Sequence, residues 1–243
     1  MEKPIKNWYA DWFDTPFYHI LYQDRDHKEA QLFMDNLTKF LKLPAQASIL
    51  DLACGKGRHA LYLNSLGYDV TGVDLSANSI AYAKQYENQR LHFDIHDMSV
   101  PYHTKFDAVF NLFTSFGYFD NEENNLNTLK AIKANLKKGG HGVIDFLNAQ
   151  YVKENLISKE EKLIEDITFR IKRYADEKHI YKDISFEYDN KLFSYTERVR
   201  AFEIDDFKKL FKTAGIILND TFGDYRLQSF DARNSERLIL IFE

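Results

Sequence analysis

An apolar run from Ser48 to Leu52 meets a turn carrying Gly55 and Gly57, and Ala60, Leu61, Leu63 and Leu66 then follow at helical spacing. No other stretch constrains the chain as much. It reads as a buried strand, a glycine turn and a helix N-terminus. Glycines there let the backbone approach a ligand with no Cβ in the way, and the free N–H groups of the first helical turn face it.

Two ligand classes suit such a turn. Gly55-x-Gly57-x-x-Ala60 can be spelled as the dinucleotide fingerprint. Asp51, however, is expected at the carboxyl end of the strand, where a dinucleotide brings its pyrophosphate close. A carboxylate repels phosphate in a partly desolvated cleft and attracts the ammonium and sulfonium of S-adenosylmethionine. The sign of the charge favours the methyl donor.

The pair Asp51-Leu-Ala-Cys-Gly55-Lys-Gly57 and Gly72-Val-Asp74-Leu-Ser76 resembles the first motifs of the class I S-adenosylmethionine-dependent methyltransferases, and the likeness runs from about Ser48 to Asn148. Asn111-Leu-Phe-Thr-Ser-Phe-Gly-Tyr-Phe119 and an N-terminal segment rich in Trp and Tyr make the chain similar to the small-molecule type. The resemblance implies S-adenosyl-L-methionine as cofactor, contacted by Asp51, Ala53, Gly55, Gly57, Asp74 and Leu75. It further implies Asp97 at the adenine amino group, with Met98 giving a backbone N–H and an apolar wall. Asn111 is expected near the cofactor, and Tyr22 or Arg25 at the methionine carboxylate or the acceptor. Asp74 ends the second strand, where an acid can accept both ribose hydroxyls.

The alternation of strand and helix up to Asn148 predicts an α/β fold with a doubly wound, mostly parallel, seven-stranded Rossmann-like sheet. Residues 1–44 form an N-terminal helical cover, in which Asp26 and Glu29 spell a capping box and Ala30, Phe33, Leu37 and Phe40 or Leu41 share a face. The aromatic side chains ahead of that helix have two open roles, packing the cover down or reaching the ligands. The cofactor-binding core spans 45–158, and a helix from Asn121 to Leu136 is expected to stop at Lys137-Lys-Gly-Gly140.

Residues 159–202 change pattern. Ile167 to Ile171, Ile184 to Tyr188 and Phe193 to Val199 alternate as strands, with turns at Asp176-Glu177 and Asp189-Asn190. They predict a three-stranded antiparallel insertion after the fifth strand, serving as a lid or a dimer contact. The core resumes over 203–243 with the helix Ile204–Ala214 and two strands, Ile216 to Phe222 and Arg237 to Phe242, the last running antiparallel. Gly223 to Asp231 is the expected rim of the acceptor pocket.

Composition narrows the function. A net charge of −5 argues against nucleic acid as partner, and one cysteine, Cys54, excludes an internal disulfide and any multi-cysteine metal site. His92, Asp94 and His96 alternate onto one strand face with no fourth ligand nearby, so no metal is expected. No apolar run approaches the ~18 residues of a membrane span, and the first residues lack the apolar core of a signal peptide, which points to the cytoplasm. The expected reaction is in-line methyl transfer to the N or O atom of a small molecule. His19, Tyr22, His59 and Tyr118 are the candidates for a catalytic base. Methylation of RNA or protein and a non-catalytic, cofactor-binding regulator are the alternatives.

Overall fold

The computed structural model describes residues 8–23, 27–119 and 121–243. Strand β1 (Ser48–Leu52) is buried from Ile49 to Leu52 on both faces, the mark of a central parallel strand. It pairs in parallel with β2 (Asp69–Asp74) on one side and β4 (Phe106–Asn111) on the other. Beyond these lie β3 (Leu91–Ile95) and β5 (Leu136–Leu147), again parallel. Four more strands form a separate antiparallel sheet: β6 (Lys159–Ile164), β7 (Ile167–Ala175), β8 (His179–Tyr188) and β9 (Lys191–Arg200). The chain ends in β10 (Leu218–Phe222) and β11 (Arg237–Phe242).

The large sheet has the order β10-β11-β5-β4-β1-β2-β3, and β11 alone runs against its neighbours. A fully parallel order would need another crossover helix between the last two strands, whereas a short excursion from Phe222 to Arg237 suffices for an antiparallel partner. Helices α4 (Arg58–Ser65), α5 (Ala77–Ala83) and α6 (Glu122–Asn135) make the crossovers. The sheet and final antiparallel strand agree with the sequence-based expectation.

The N-terminal segment divides. Helix α3 (His27–Phe40) lays Ala30, Phe33, Met34 and Leu37, with Leu41 just beyond, into the core beside α4, while Phe40 is 41% exposed. Helices α1 (Trp8–Phe13) and α2 (Pro16–Leu21) instead pack on the inner face of the antiparallel sheet. Thr15 caps α2 by accepting from the Tyr18 N–H, and Pro16 takes the first helical position. Trp12 stacks on Tyr195 at 4.4 Å and donates to Glu197 at 2.7 Å. Trp12, Phe169 and Phe186 are almost wholly buried in this joint, and each such ring contributes about 2–3 kcal/mol. The two pieces therefore make one composite cap. Asp26 of the expected capping box lies outside the described residues.

Three expectations change. The insertion has four strands, because Lys-Glu-Glu-Lys-Leu-Ile (159–164) pairs along β7 as an edge whose charged, largely exposed side chains give no apolar alternation. Glu165 and Asp166, with φ of 47° and 62°, turn that hairpin. Gly139 and Gly140 are not a helix cap, since α6 stops at Asn135 and β5 starts at Leu136. A Cβ on Gly140 would lie 2.9 Å from the Asp107 carbonyl, so the close approach of β4 and β5 requires glycine there. Strand β10 starts at Leu218, because the Ile216 N–H bonds back to Phe211 near the end of the helix Ile204–Ala214. Among the described residues no helix is long and apolar enough to cross a membrane.

Candidate active site

Past β1 the backbone turns left-handed at Ala53, Gly55 and Gly57, with φ of 64°, 56° and 82°. The two glycines answer to different demands. A Cβ on Gly55 would meet no atom within 4 Å, so that position faces open space. A Cβ on Gly57 would lie 2.6 Å from the Phe93 ring, so the turn packs closely on β3 just before α4 begins. The Gly55 N–H is held by an Asp74 oxygen at 2.8 Å, and the other Asp74 oxygen accepts from the Ser76 N–H at 2.8 Å. Asp74 thus ties the glycine turn to the exit of β2.

A cavity of about 660 Å³ opens above this turn at the carboxyl edge of the sheet. Asp51, Ala53, Gly55, Asp74, Leu75, Asp97 and Met98 all line it. His19, Tyr22, His59 and Tyr118 line it too, the first two reaching in from the composite cap. Leu75 is 46% exposed here, an apolar side chain left uncovered beside two acids. Asp51 is 1% exposed, and its Oδ2 has no hydrogen-bond partner among the described residues. Burial pushes its carboxyl up to about 7, with Asp74 adding to the rise while the Ala60 N–H and the Arg58 charge oppose it. Burial also raises Asp74, against the backbone N–H groups that it accepts.

An orphaned, desolvated carboxylate calls for a cation, and phosphate would worsen its position. The cavity also supplies ring-sized apolar walls in Leu75, Met98, Tyr82 and Tyr86, and an acid at a strand end for a ribose. Adenosyl sulfonium chemistry fits these groups, and dinucleotide chemistry does not.

Residues 49–140 match the family model described as a methyltransferase domain. The chain is 29% identical over 222 residues to a putative methyltransferase, YqeM, of Bacillus subtilis, covering 84% of this chain and 87% of that one. The chain carries a methyltransferase domain, on the fold of S-adenosylmethionine-dependent methyltransferases. Its cofactor is S-adenosylmethionine. The methyltransferase is also 30% identical over 106 residues to a dTDP-3-amino-3,4,6-trideoxy-alpha-D-glucopyranose N,N-dimethyltransferase of Streptomyces venezuelae, a match reaching 43% of this chain and 44% of that protein. In fold it is similar to a crystal structure of an S-adenosylmethionine-dependent methyltransferase from Clostridium acetobutylicum, with a TM-score of 0.77, 21% identity and 98% of each chain covered.

Not every expected residue of the methyltransferase reaches the cavity. Asn111 is fully buried behind it and donates to the Leu52 carbonyl at 3.0 Å, so it braces β1 against β4 and does not line the ligand space. Gly57 likewise shapes the turn without lining the cavity, and Arg25 lies outside the described residues. Cys54 lines the cavity, buried, with its thiol raised well above the usual range by burial and the nearby acids.

Two lining residues, Arg58 and Lys56, escaped the sequence reading. Arg58 opens α4 directly after the glycine turn, its guanidinium 4.6 Å from the Phe113 ring and 3.3 Å from His59. Its place directly after Gly-x-Gly was a usable signal. Lys56 lies over Tyr82 at 4.9 Å, with burial lowering its pKa. Tyr9, Phe13 and Tyr18 of the cap and Phe113 after β4 complete the aromatic part of the wall. Phe113 stacks between His59 at 4.8 Å and Tyr225 at 5.3 Å.

Proposed function

We propose that this methyltransferase acts on a small molecule and delivers the methyl group to an amine nitrogen. One observation carries the choice of nitrogen. A second cavity adjoins the first, and the residues common to both are Phe13, Tyr18, Tyr22, Phe113 and Tyr118. The passage between donor and acceptor is therefore ringed by aromatic side chains; no carboxylate or imidazole is among those shared residues, and the base candidates Tyr22 and Tyr118 bring only phenol hydroxyls, which are ordinarily protonated. A hydroxyl acceptor needs a strong base at the reacting atom, whereas an amine needs only to arrive neutral. The N,N-dimethyltransferase of Streptomyces venezuelae supports the same reading by its name.

Bound in the first cavity, S-adenosylmethionine supplies an already activated methyl group. Asp51 balances its positive charge, Asp74 accepts from the ribose hydroxyls, and Asp97 and Met98 serve the adenine. Arg58 takes the carboxylate role that the sequence reading offered to Arg25. The aromatic ring excludes water and aligns the acceptor, which is the protein's main contribution to a displacement of this type. His19 and His59 line only the first cavity, and their part is to shape the cofactor site.

Calorimetric titration with S-adenosylhomocysteine tests the cofactor site. Asp74→Ala is expected to weaken binding by about 1–3 kcal/mol and to lower the melting temperature, since the same side chain clamps the Gly55 and Ser76 N–H groups. Unchanged affinity would remove Asp74 from the site. A panel of small amines and their matched alcohols, scored by S-adenosylhomocysteine release, tests the acceptor. Turnover confined to the alcohols would refute the nitrogen assignment.

A further inference from the structure

The corner between α1 and α2 faces two ways. Trp12 anchors it on the antiparallel sheet, through Glu197 and the Tyr195 ring. Asp14, two residues on, reaches the opposite way, to the first turn of α5. One of its carboxylate oxygens accepts from the Ser76 hydroxyl and from the Asn78 N–H at 3.3 Å, and the other accepts from the Asn78 side-chain amide at 2.8 Å.

Ser76 is where this joint meets the cofactor site. Its hydroxyl caps α5 by accepting from the Ser79 N–H at 3.0 Å, and its backbone N–H donates to Asp74 at 2.8 Å. The other Asp74 oxygen holds the Gly55 N–H. A continuous chain of hydrogen bonds therefore runs from the cap through Ser76 and Asp74 to the glycine turn. It also joins two walls of the first cavity, since Phe13 and Tyr18 line it from the cap and Asp74, Leu75 and Ser76 from the exit of β2. Neither Asp14 nor Asn78 lines that cavity.

A second acid is an unfavourable neighbour for Asp74. Burial raises the Asp74 carboxyl, and the Asp14 charge adds to the rise. Yet two carboxylate oxygens meet three donors at this joint, whereas an amide in the same place has one accepting oxygen. The carboxylate suits the joint better than it suits Asp74.

We propose that Asp14 is a positioning residue of the cofactor site: it pins the corner of the cap to Ser76 and Asn78, so that Asp74 and the aromatic wall keep the spacing the cofactor requires. The proposal rests on the cofactor seating given above and adds to it a residue that touches no ligand. Through Trp12 the same corner ties that wall to the antiparallel sheet.

Calorimetric titration of the full chain with S-adenosylhomocysteine tests it, beside urea unfolding of each variant. Asp14→Ala should weaken binding about tenfold, and Asp14→Asn, which keeps one accepting oxygen, should recover part of the loss. Asn78→Ala should weaken binding about threefold. The double variant should bind no more weakly than Asp14→Ala alone, because both changes break one joint. Asp11→Ala, which removes an exposed acid of α1, should bind as wild type does. If Asp14→Ala does not fold, Asp14→Asn takes its place in the same cycle with Asn78→Ala. The proposal is overturned if the Asp14 variants bind within about twofold of wild type while Asp74→Ala binds poorly, or if the Asp14 and Asn78 losses simply add. It is equally overturned if Asp11→Ala costs as much as Asp14→Ala, which would make the effect one of diffuse charge. Unchanged binding in Asp74→Ala would instead remove the cofactor seating beneath it.

Discussion

Asp51→Asn is expected to make the ligand-free methyltransferase more stable and a poorer binder of its cofactor. Asp51 sits fully buried with one oxygen unpartnered among the described residues, and burial lifts its carboxyl from an ordinary 3.8 to about 7. Between those two values the folded protein keeps a proton that the unfolded chain has released. Stability contributed at this site is therefore lost as pH rises from 3.8 to 7, and the loss above pH 7 is about 4 kcal/mol. Asparagine has no such titration. The variant should exceed wild type by up to about 4 kcal/mol at pH 8, less whatever its amide N–H groups lose for want of acceptors. The gap should narrow at pH 5.

Binding moves the other way. Only the ionised carboxylate attracts a cationic cofactor, so wild-type affinity for S-adenosylmethionine should rise with pH through about 7, while the variant stays flat. Asp74 and Arg58 flank the group with opposite effects on its charge, and neither replaces it. Urea unfolding and calorimetric titration at pH 5 and pH 8 decide the matter. Equal urea midpoints at pH 8, together with a pH-independent wild-type affinity, would show that Asp51 is neither strained nor used. A residue that costs stability until a ligand arrives is what a binding site built for charge requires.

The second large effect is destructive. Asp145, fully buried at the end of β5, is paired with Arg237 at 2.8 Å and accepts from the Phe113 N–H at 2.8 Å and the Tyr225 hydroxyl at 3.2 Å. Its own carbonyl accepts from the Thr114 N–H at 2.9 Å, and Arg237 reaches the Thr114 hydroxyl at 3.0 Å. These bonds hold two successive left-handed residues, Phe113 and Thr114, at φ of 55° and 60°. Such backbone is costly for residues with a Cβ, and a phenylalanine needs the surroundings to enforce it.

Asp145→Ala leaves the Arg237 charge without its partner and should cost about 3–5 kcal/mol. Pairing it with Arg237→Met should recover much of that loss, since a charge no longer stranded needs no partner. S-adenosylhomocysteine affinity of the folded single variant should also fall, because Phe113 would lose its fixed stack on His59. A loss below about 1 kcal/mol in urea unfolding would mean that the pair is incidental to the turn.

Much of this was readable in the chain. The strand, the glycine turn and the acid at the end of β2 are local features, decided by neighbours within a few residues and by the backbone angles that glycine alone accepts easily. The alternation of strand and helix carries the parallel sheet, and the apolar run at the C-terminus carries its last strand. Even Arg58 lay within reach. Strand β6 did not, because an edge strand exposed on both faces has no apolar period to betray it. Asn111 was misplaced because register, and not motif, decides whether a strand-end residue faces a cavity or the neighbouring strand.

By itself, then, the sequence determined the cofactor turn, the sign of the charge beneath it and the layout of the sheet. The tertiary structure alone decided that the N-terminal helices and the late insertion close into one cap, and that their union encloses a second chamber beside the first. That chamber draws on residues from 8 to 237. Contacts made over such separations depend on how packed surfaces fit, and no period or spacing along the chain encodes that fit.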